Sequence, residues 1–94
     1  MLDRPAHRVS VQGHSVVLAL QEYRLLELLM INADHVVTSR EILDALWGRE
    51  FTGDPGTIAV HMLRLRKKLG PLGDHIETVW GVGYRLRPEK GGAE

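Results

Sequence analysis

Cysteine is absent from this chain of 94 residues, and so are long hydrophobic runs. Without cysteine, the chain has no disulfides, no thiolate zinc ligands and no thiol nucleophile. No apolar stretch approaches the roughly 18 residues of a membrane span, and the opening "MLDRPAHRV" lacks the apolar core of a signal peptide. We therefore expect a cytoplasmic protein without a membrane partner, built as one domain over residues 1–94 with a polar tail at about 89–94.

Patterns typical of catalysis or metal binding are lacking as well. The five histidines fall in different predicted elements without H-x-x-x-H spacing, and neither a G-x-S-x-G elbow nor a glycine-rich phosphate loop occurs. The G-x-G at 81–83 precedes a predicted strand rather than a helix, which favours a hairpin turn. The sequence therefore predicts no enzyme, catalytic residue, metal, cofactor or small-molecule substrate.

Net charge is zero, but the charges are unevenly distributed along the chain. Residues 1–60 hold five Lys or Arg against eight Asp or Glu, whereas residues 61–94 hold seven against four. The segment 61–68 alone, "HMLRLRKK", carries four cations and no acid. A basic cluster on one element of a neutral domain is typical of a polyanion-binding surface, although a solvated helix face has the same composition.

The order of secondary-structure signals predicts an α+β domain. Thr38 and Glu41 have the spacing of a helix capping box, with Gly48 placed as a left-handed C-cap, and Gly70-Pro71 ends the last helix. Alternating apolar residues indicate strands on both sides of a Gly-containing turn at each end of the chain. In order, we predict a β-hairpin that turns near Gly13, helices over 20–32, 38–47 and 55–69, and a second hairpin over 76–87.

The third predicted helix separates its apolar and basic side chains. At 100° per residue, one seam contains Ile58, Met62, Leu65 and Leu69, and the opposite side contains Thr57, Val60, Arg64, Lys67 and Lys68. Leu63 and Arg66 depart from this separation. Such a helix fits the major groove, where Arg can bond guanine and Val can meet a thymine methyl, with the second hairpin beside it. Cations that merely solvate an outer face remain an alternative on charge alone.

Four blocks of sequence, "LALQEYRLLELL", "VVTSREILDALWG", "TIAVHMLRLRKKLG" and "TVWGVGYRL", resemble the winged-helix output domain of OmpR/PhoB-type response regulators. The resemblance implies a winged helix-turn-helix fold with an N-terminal antiparallel sheet, a recognition helix over 55–69 in the major groove, and a wing over 76–87 on the backbone or minor groove. It implies a two-component transcription regulator that binds double-stranded DNA as a dimer on direct-repeat half-sites, under an upstream receiver domain. No receiver is expected within these 94 residues.

The resemblance also implies roles for individual residues, and the basic side of the helix adds Lys67 and Lys68 for the DNA backbone or solvent. For Trp47 and Tyr84, a core aromatic role is an alternative that can hold together with a contact. Implied base contacts are Val60 and Arg64. Implied backbone contacts are Trp47, Thr57, His61, Arg66 and Tyr84, and the wing presents Trp80 and Arg85. A loop that touches RNA polymerase in some family members corresponds to Arg49, Glu50, Phe51, Thr52, Gly53 and Asp54.

Some positions depart from the family pattern. Family members often carry charged or polar side chains where this chain has Gly56, Ala59, Leu63 and Trp80. Trp80 has three alternatives: stacking on sugar, packing under the wing, or lying in a protomer interface. Apolar surface where relatives carry charge favours, as a second hypothesis, a winged-helix protein-interaction module with weak or no DNA binding. The first helix starts at Ala19-Leu20 instead of the family's Ser/Thr-Pro, which predicts a poorer N-cap.

Overall fold

The computed structural model describes residues 2–3, 8–11, 13–49 and 56–88. Most of the polymerase-loop prediction (50–54), the predicted helix start at Pro55 and the tail from residue 89 lie outside these residues. Three α-helices and two small sheets make up the described chain. Their bounds are β1 Leu2–Asp3, β2 Arg8–Val11, β3 His14–Val17, α1 Leu20–Ile31, β4 Val37–Thr38, α2 Ser39–Trp47, α3 Gly56–Leu69, β5 Ile76–Val79 and β6 Gly83–Leu86, with a 3₁₀ helix at Gly70–His75.

Both predicted hairpins are confirmed, and each belongs to a three-stranded antiparallel sheet. β1 extends the N-terminal hairpin to the order β1-β2-β3, with Val11 opposite His14 and Gly13 at a φ of 83° in the turn. The C-terminal hairpin of β5 and β6, which we call the wing, belongs to a sheet of order β4-β6-β5, because the short strand β4 before α2 pairs with β6. The α+β winged-helix architecture predicted from the sequence is thus present.

The caps of the first two helices follow the sequence with one correction. Thr38 Oγ1 accepts the Glu41 N–H at 3.1 Å while Glu41 Oε1 accepts the Thr38 N–H at 2.8 Å, so the predicted capping box is confirmed. Ala19 provides no side-chain cap, as predicted. Glu22 Oε1 nevertheless accepts the Ala19 N–H at 2.9 Å, so one of the two hydrogen bonds of a capping box is present. Gly48 has φ 94° and ψ 159°, so its φ is positive as predicted but its ψ lies outside the left-handed helical region.

The core lies where the three helices meet. Leu25 and Leu29 of α1 are completely buried, and the predicted seam of α3 is confirmed because each of its four residues exposes 1% or less of its surface. Burying a leucine-sized side chain contributes roughly 1.5–3 kcal/mol, so this seam alone fixes α3 against the body. Its opposite side is consequently held outward at a defined angle. The seam consists of Ile58, Met62, Leu65 and Leu69.

Candidate nucleic-acid interface

The outward side of α3 is the most cation-rich surface on any helix in the described chain. Arg64, Lys67 and Lys68 are exposed there, Val60 keeps 47% of its surface exposed, and Thr57 is half-buried in the first turn. The predicted separation of leucines and cations is therefore present in the folded helix. Leu63, which departs from this separation, keeps 59% of its surface exposed and is not among the described core residues.

Trp47, the last residue of α2, contacts His61 in the first half of α3. Their ring centroids lie 5.2 Å apart at 67° between planes, and Trp47 also packs against the core cluster. The core role considered for Trp47 is therefore present. His61 Nδ1 lies 2.8 Å from the Thr57 carbonyl oxygen, which can only accept, so Nδ1 carries the proton in this hydrogen bond. His61 Nε2 is left as the atom that can meet a further partner.

Arg66 connects α3 to the wing. Its Nη2 donates to the Ile76 carbonyl oxygen at 2.8 Å and to Thr78 Oγ1 at 3.0 Å, and its guanidinium carbon lies 5.9 Å from the centroid of the Tyr84 ring. Arg66 was predicted from the sequence as a DNA backbone contact, and that prediction is still untested. Its described bonds are within the chain, and Tyr84 packs partly against the core. Sequence patterns miss this link because the partners lie ten and twelve positions away.

Lys68 pairs with a buried carboxylate, Glu22, that was not among the residues predicted for the site. Its Nζ lies 2.7 Å from Glu22 Oε1, and the Glu22 side chain is only 3% exposed. Burial acts to raise the pKa of Glu22, but hydrogen bonds from Lys68 and the Ala19 N–H, with the nearby charge of Arg64, hold it below its ordinary value. The signal in the sequence was Glu22 at the third position of a helix whose N-cap has no side-chain acceptor.

The tip of the wing presents Trp80 to solvent on a fixed turn. Val82 N–H donates to the Val79 carbonyl oxygen at 2.9 Å, and Gly81 has the positive φ, 80°, that a type II turn requires. Trp80 is 88% exposed, so of its three alternatives packing under the wing does not occur, and stacking on sugar and a protomer interface stay open. The turn is anchored to the start of α2, because Ser39 N–H donates to the Val82 carbonyl oxygen at 3.0 Å.

The two arginines of β6 and its end share one carboxylate across the wing. Arg85 donates to Glu77 Oε1 through Nη2 at 2.7 Å and Nε at 3.0 Å, and Arg87 donates to Oε2 at 3.1 Å. The hydrogen bond from Arg85 is the main reason that the pKa of Glu77 lies below its ordinary value. Arg85, predicted on the DNA-facing wing, therefore already has an anionic partner.

Within the described ranges, no three histidine, aspartate or glutamate side chains gather where they could hold a metal ion. Among the same residues, none of the helices combines the length and apolarity needed to cross a bilayer.

Arg49, the one polymerase-loop residue that the structure describes, is exposed after α2.

The fold and this surface define a winged helix-turn-helix module, and comparisons identify its family. Residues 13–86 match the family described as "Transcriptional regulatory protein, C terminal". The sensory transduction protein RegX3 of Mycobacterium leprae is 41% identical over 90 residues, covering 90% of this chain and 44% of RegX3. The chain therefore spans less than half the length of the curated relatives that it matches.

Solved structures agree. The DNA-binding domain of Bacillus subtilis CssR superposes with a TM-score of 0.82 at 29% identity, over 92% of this chain and 97% of that one. The Klebsiella pneumoniae RstA DNA-binding domain in complex with the RstA box gives a TM-score of 0.80 at 27% identity, over 94% and 90%. The chain belongs to the C-terminal domains of OmpR/PhoB-type transcriptional regulatory proteins, which confirms the resemblance drawn from its sequence.

Proposed function

We propose that this chain binds specific sequences of duplex DNA to regulate transcription, with α3 in the major groove and the wing on the adjacent backbone or minor groove. The observation that carries the proposal is the outward face of α3, where Arg64 and Lys67 stand beside Val60 on a helix whose other side is locked into the core. Guanidinium and ammonium groups pair with phosphate and guanine, and an exposed valine suits a thymine methyl.

Within this proposal, the predicted site residues fall into two groups: those whose side chains can contact DNA and those that make contacts within the chain. Arg64 and Val60 read base edges, and Thr57 and His61 Nε2 meet phosphate next to them. Lys67 also meets the backbone, and Trp47, Tyr84 and Arg85 border the contact from the body and wing. Arg66 and Lys68 act first within the chain, Arg66 by fixing the wing and Lys68 by pairing with Glu22.

The assembly is part of the same proposal. The RstA domain was solved on its box DNA, and its fold is shared by this chain over most of its length. We infer that two copies occupy direct-repeat half-sites, that a receiver domain in a longer protein governs this assembly, and that the loop from Arg49 to Asp54 meets RNA polymerase. The family membership supports these inferences.

The experiment is a selection of bound sites from a random duplex pool, followed by titration of the best site across a salt series. Four to six phosphate contacts predict a slope of log affinity on log salt of roughly −4 to −5 per protomer. Arg64→Ala should lower the affinity for the selected site about 10- to 100-fold and relax the sequence preference at one base pair. Arg24→Ala, an equal change of charge on the exposed side of α1, is the matched control and should change little.

A second candidate function, a protein-interaction module, is supported by the exposed side chains of Leu63 and Trp80. It predicts binding to a protein partner that resists high salt, because apolar burial is not screened. On DNA it predicts a flat preference across sequences. Recovery of a shared motif from the random pool would contradict it, whereas an unselective pool and an inert Arg64→Ala variant would contradict DNA recognition.

A further inference from the structure

The outward face of α3 is divided along its length. From Gly56 to Leu63 the helix has no Lys, Arg, Asp or Glu, and all its formal charges follow from Arg64 onward. The first two turns nevertheless present exposed side chains, Ala59, Val60 and Leu63. An apolar half and a cationic half therefore share one exposed face.

The apolar residues form one continuous patch. Leu63 lies three positions after Val60 and four after Ala59, the spacings at which side chains on a helix are neighbours. Around the helix axis, Arg64 and Leu63 fall on opposite sides of Val60, about 40° and 60° away. Val60 therefore lies between the other two, and the three side chains span about 100° of the helix surface, an arc that a groove wide enough to admit the helix can face.

Among the residues that the structure describes, Leu63 is not part of the core and does not make the link to the wing. The Leu63 side chain is 59% exposed. The hydrogen bond to the wing is made instead by Arg66, three positions later on the helix. An exposed leucine has no favourable partner in water, but burying it against apolar surface is favourable. In the major groove, the apolar group that a base presents is the 5-methyl of thymine.

We propose that Leu63 is a specificity-determining residue that, with Ala59 and Val60, reads thymine 5-methyl groups beside the base pair contacted by Arg64. The inference rests on the proposed DNA binding and adds the chemistry of the half-site. The half-site should contain adjacent thymines next to a guanine. Charge complementarity favours DNA as the occupant, because the patch continues directly into Arg64 and Lys67 on the same face.

The test removes single methyl groups from the DNA. In the site selected from the random pool, each thymine is replaced in turn by deoxyuridine, which keeps the base pairing and lacks only the 5-methyl. For the unchanged chain, one or two of these replacements should weaken binding about fourfold, the value of one buried carbon. Leu63→Ala should weaken binding to the thymine site about tenfold and lose its sensitivity to deoxyuridine at the same position.

Two further variants sharpen the result. Val17→Ala truncates an equally exposed apolar residue on the N-terminal hairpin and should leave both affinity and deoxyuridine sensitivity unchanged. Leu63→Arg should remove the deoxyuridine effect at its position and steepen the salt slope by about one. Both positions are exposed, so the fold tolerates the substitutions.

The outcomes separate the two levels of the argument. If every deoxyuridine site binds the unchanged chain normally while Arg64→Ala still relaxes the preference, the methyl contact is overturned and DNA recognition stands. If Leu63→Ala keeps full sensitivity at every thymine, the role of Leu63 is overturned. If the random pool yields no motif, the proposed function itself fails.

Discussion

The two β-hairpins are attached to the helices by different forces. Among the residues that the structure describes, the N-terminal hairpin is held by apolar packing of the buried Val9 and of Leu18, which follows β3. The wing is held by directional polar links as well: Arg66 from α3, the Ser39 N–H from α2, and the Asp34 N–H, which donates to the Leu86 carbonyl oxygen at 2.8 Å. Apolar contact sets proximity, whereas hydrogen bonds also set angle, so the wing is the hairpin whose orientation to α3 is fixed.

The largest effect should come from filling the close approach between the wing and β4. Gly83→Ala would place a Cβ against the Val37 carbonyl oxygen and 2.8 Å from the Thr38 Cα, so the two strands would have to separate. We expect a loss of about 3 kcal/mol or more in the free energy of unfolding, measured by urea denaturation.

The matched substitution in the other hairpin is Gly13→Ala. No atom of the described residues would lie within 4 Å of the added Cβ, so we expect only the φ of 83° to be penalised, at about 1 kcal/mol. Equal losses for the two variants would mean that the wing is not more tightly fixed than the N-terminal hairpin.

The next effect concerns the link from α3. Arg66→Met keeps the aliphatic stem but leaves the Ile76 carbonyl and Thr78 hydroxyl without the guanidinium, so we expect a loss of about 2 kcal/mol. Amide hydrogen exchange should accelerate in β5 and β6 more than in β2 and β3. An unchanged stability with a shallower salt slope would instead identify Arg66 as a phosphate contact only.

A smaller effect should follow from charging the tip of the wing. Trp80→Arg places a cation on the 88% exposed tip, and we expect the salt slope of DNA binding to steepen by about one. Ser15→Arg adds the same charge to the exposed surface of the N-terminal hairpin and should leave the slope unchanged. If both variants steepen the slope equally, the two hairpins approach DNA alike and the assignment of the wing is wrong.

The sequence predicted what depends on local periodicity and missed what depends on distant pairs. Both hairpins, the capping box at Thr38 and the seam of α3 follow from spacing within a few residues, and all are confirmed. The Arg66 link joins residues that no helical or strand period brings together, and the same holds for the pairing of Lys68 with Glu22. Arg66 and Lys68 are therefore held by contacts within the chain, whereas Arg64 and Lys67 on the same helix are exposed to solvent, and this difference follows from the fold.

The smallest effect should be the pH dependence of the ionic contact across the wing. The pKa of Glu77 is held below its ordinary 4.5, mainly by the hydrogen bond from Arg85 and also by that from Arg87. A lowered folded-state pKa means that this stabilisation is fully present above about pH 4.5 and is lost as the pH falls through the folded-state pKa. The stability difference between the unchanged chain and Glu77→Gln, measured by denaturation from pH 6 downward, should therefore shrink towards low pH. Because Glu22 is present in both proteins, its own titration cancels, and a difference independent of pH would show that Glu77 does not stabilise the wing by its charge.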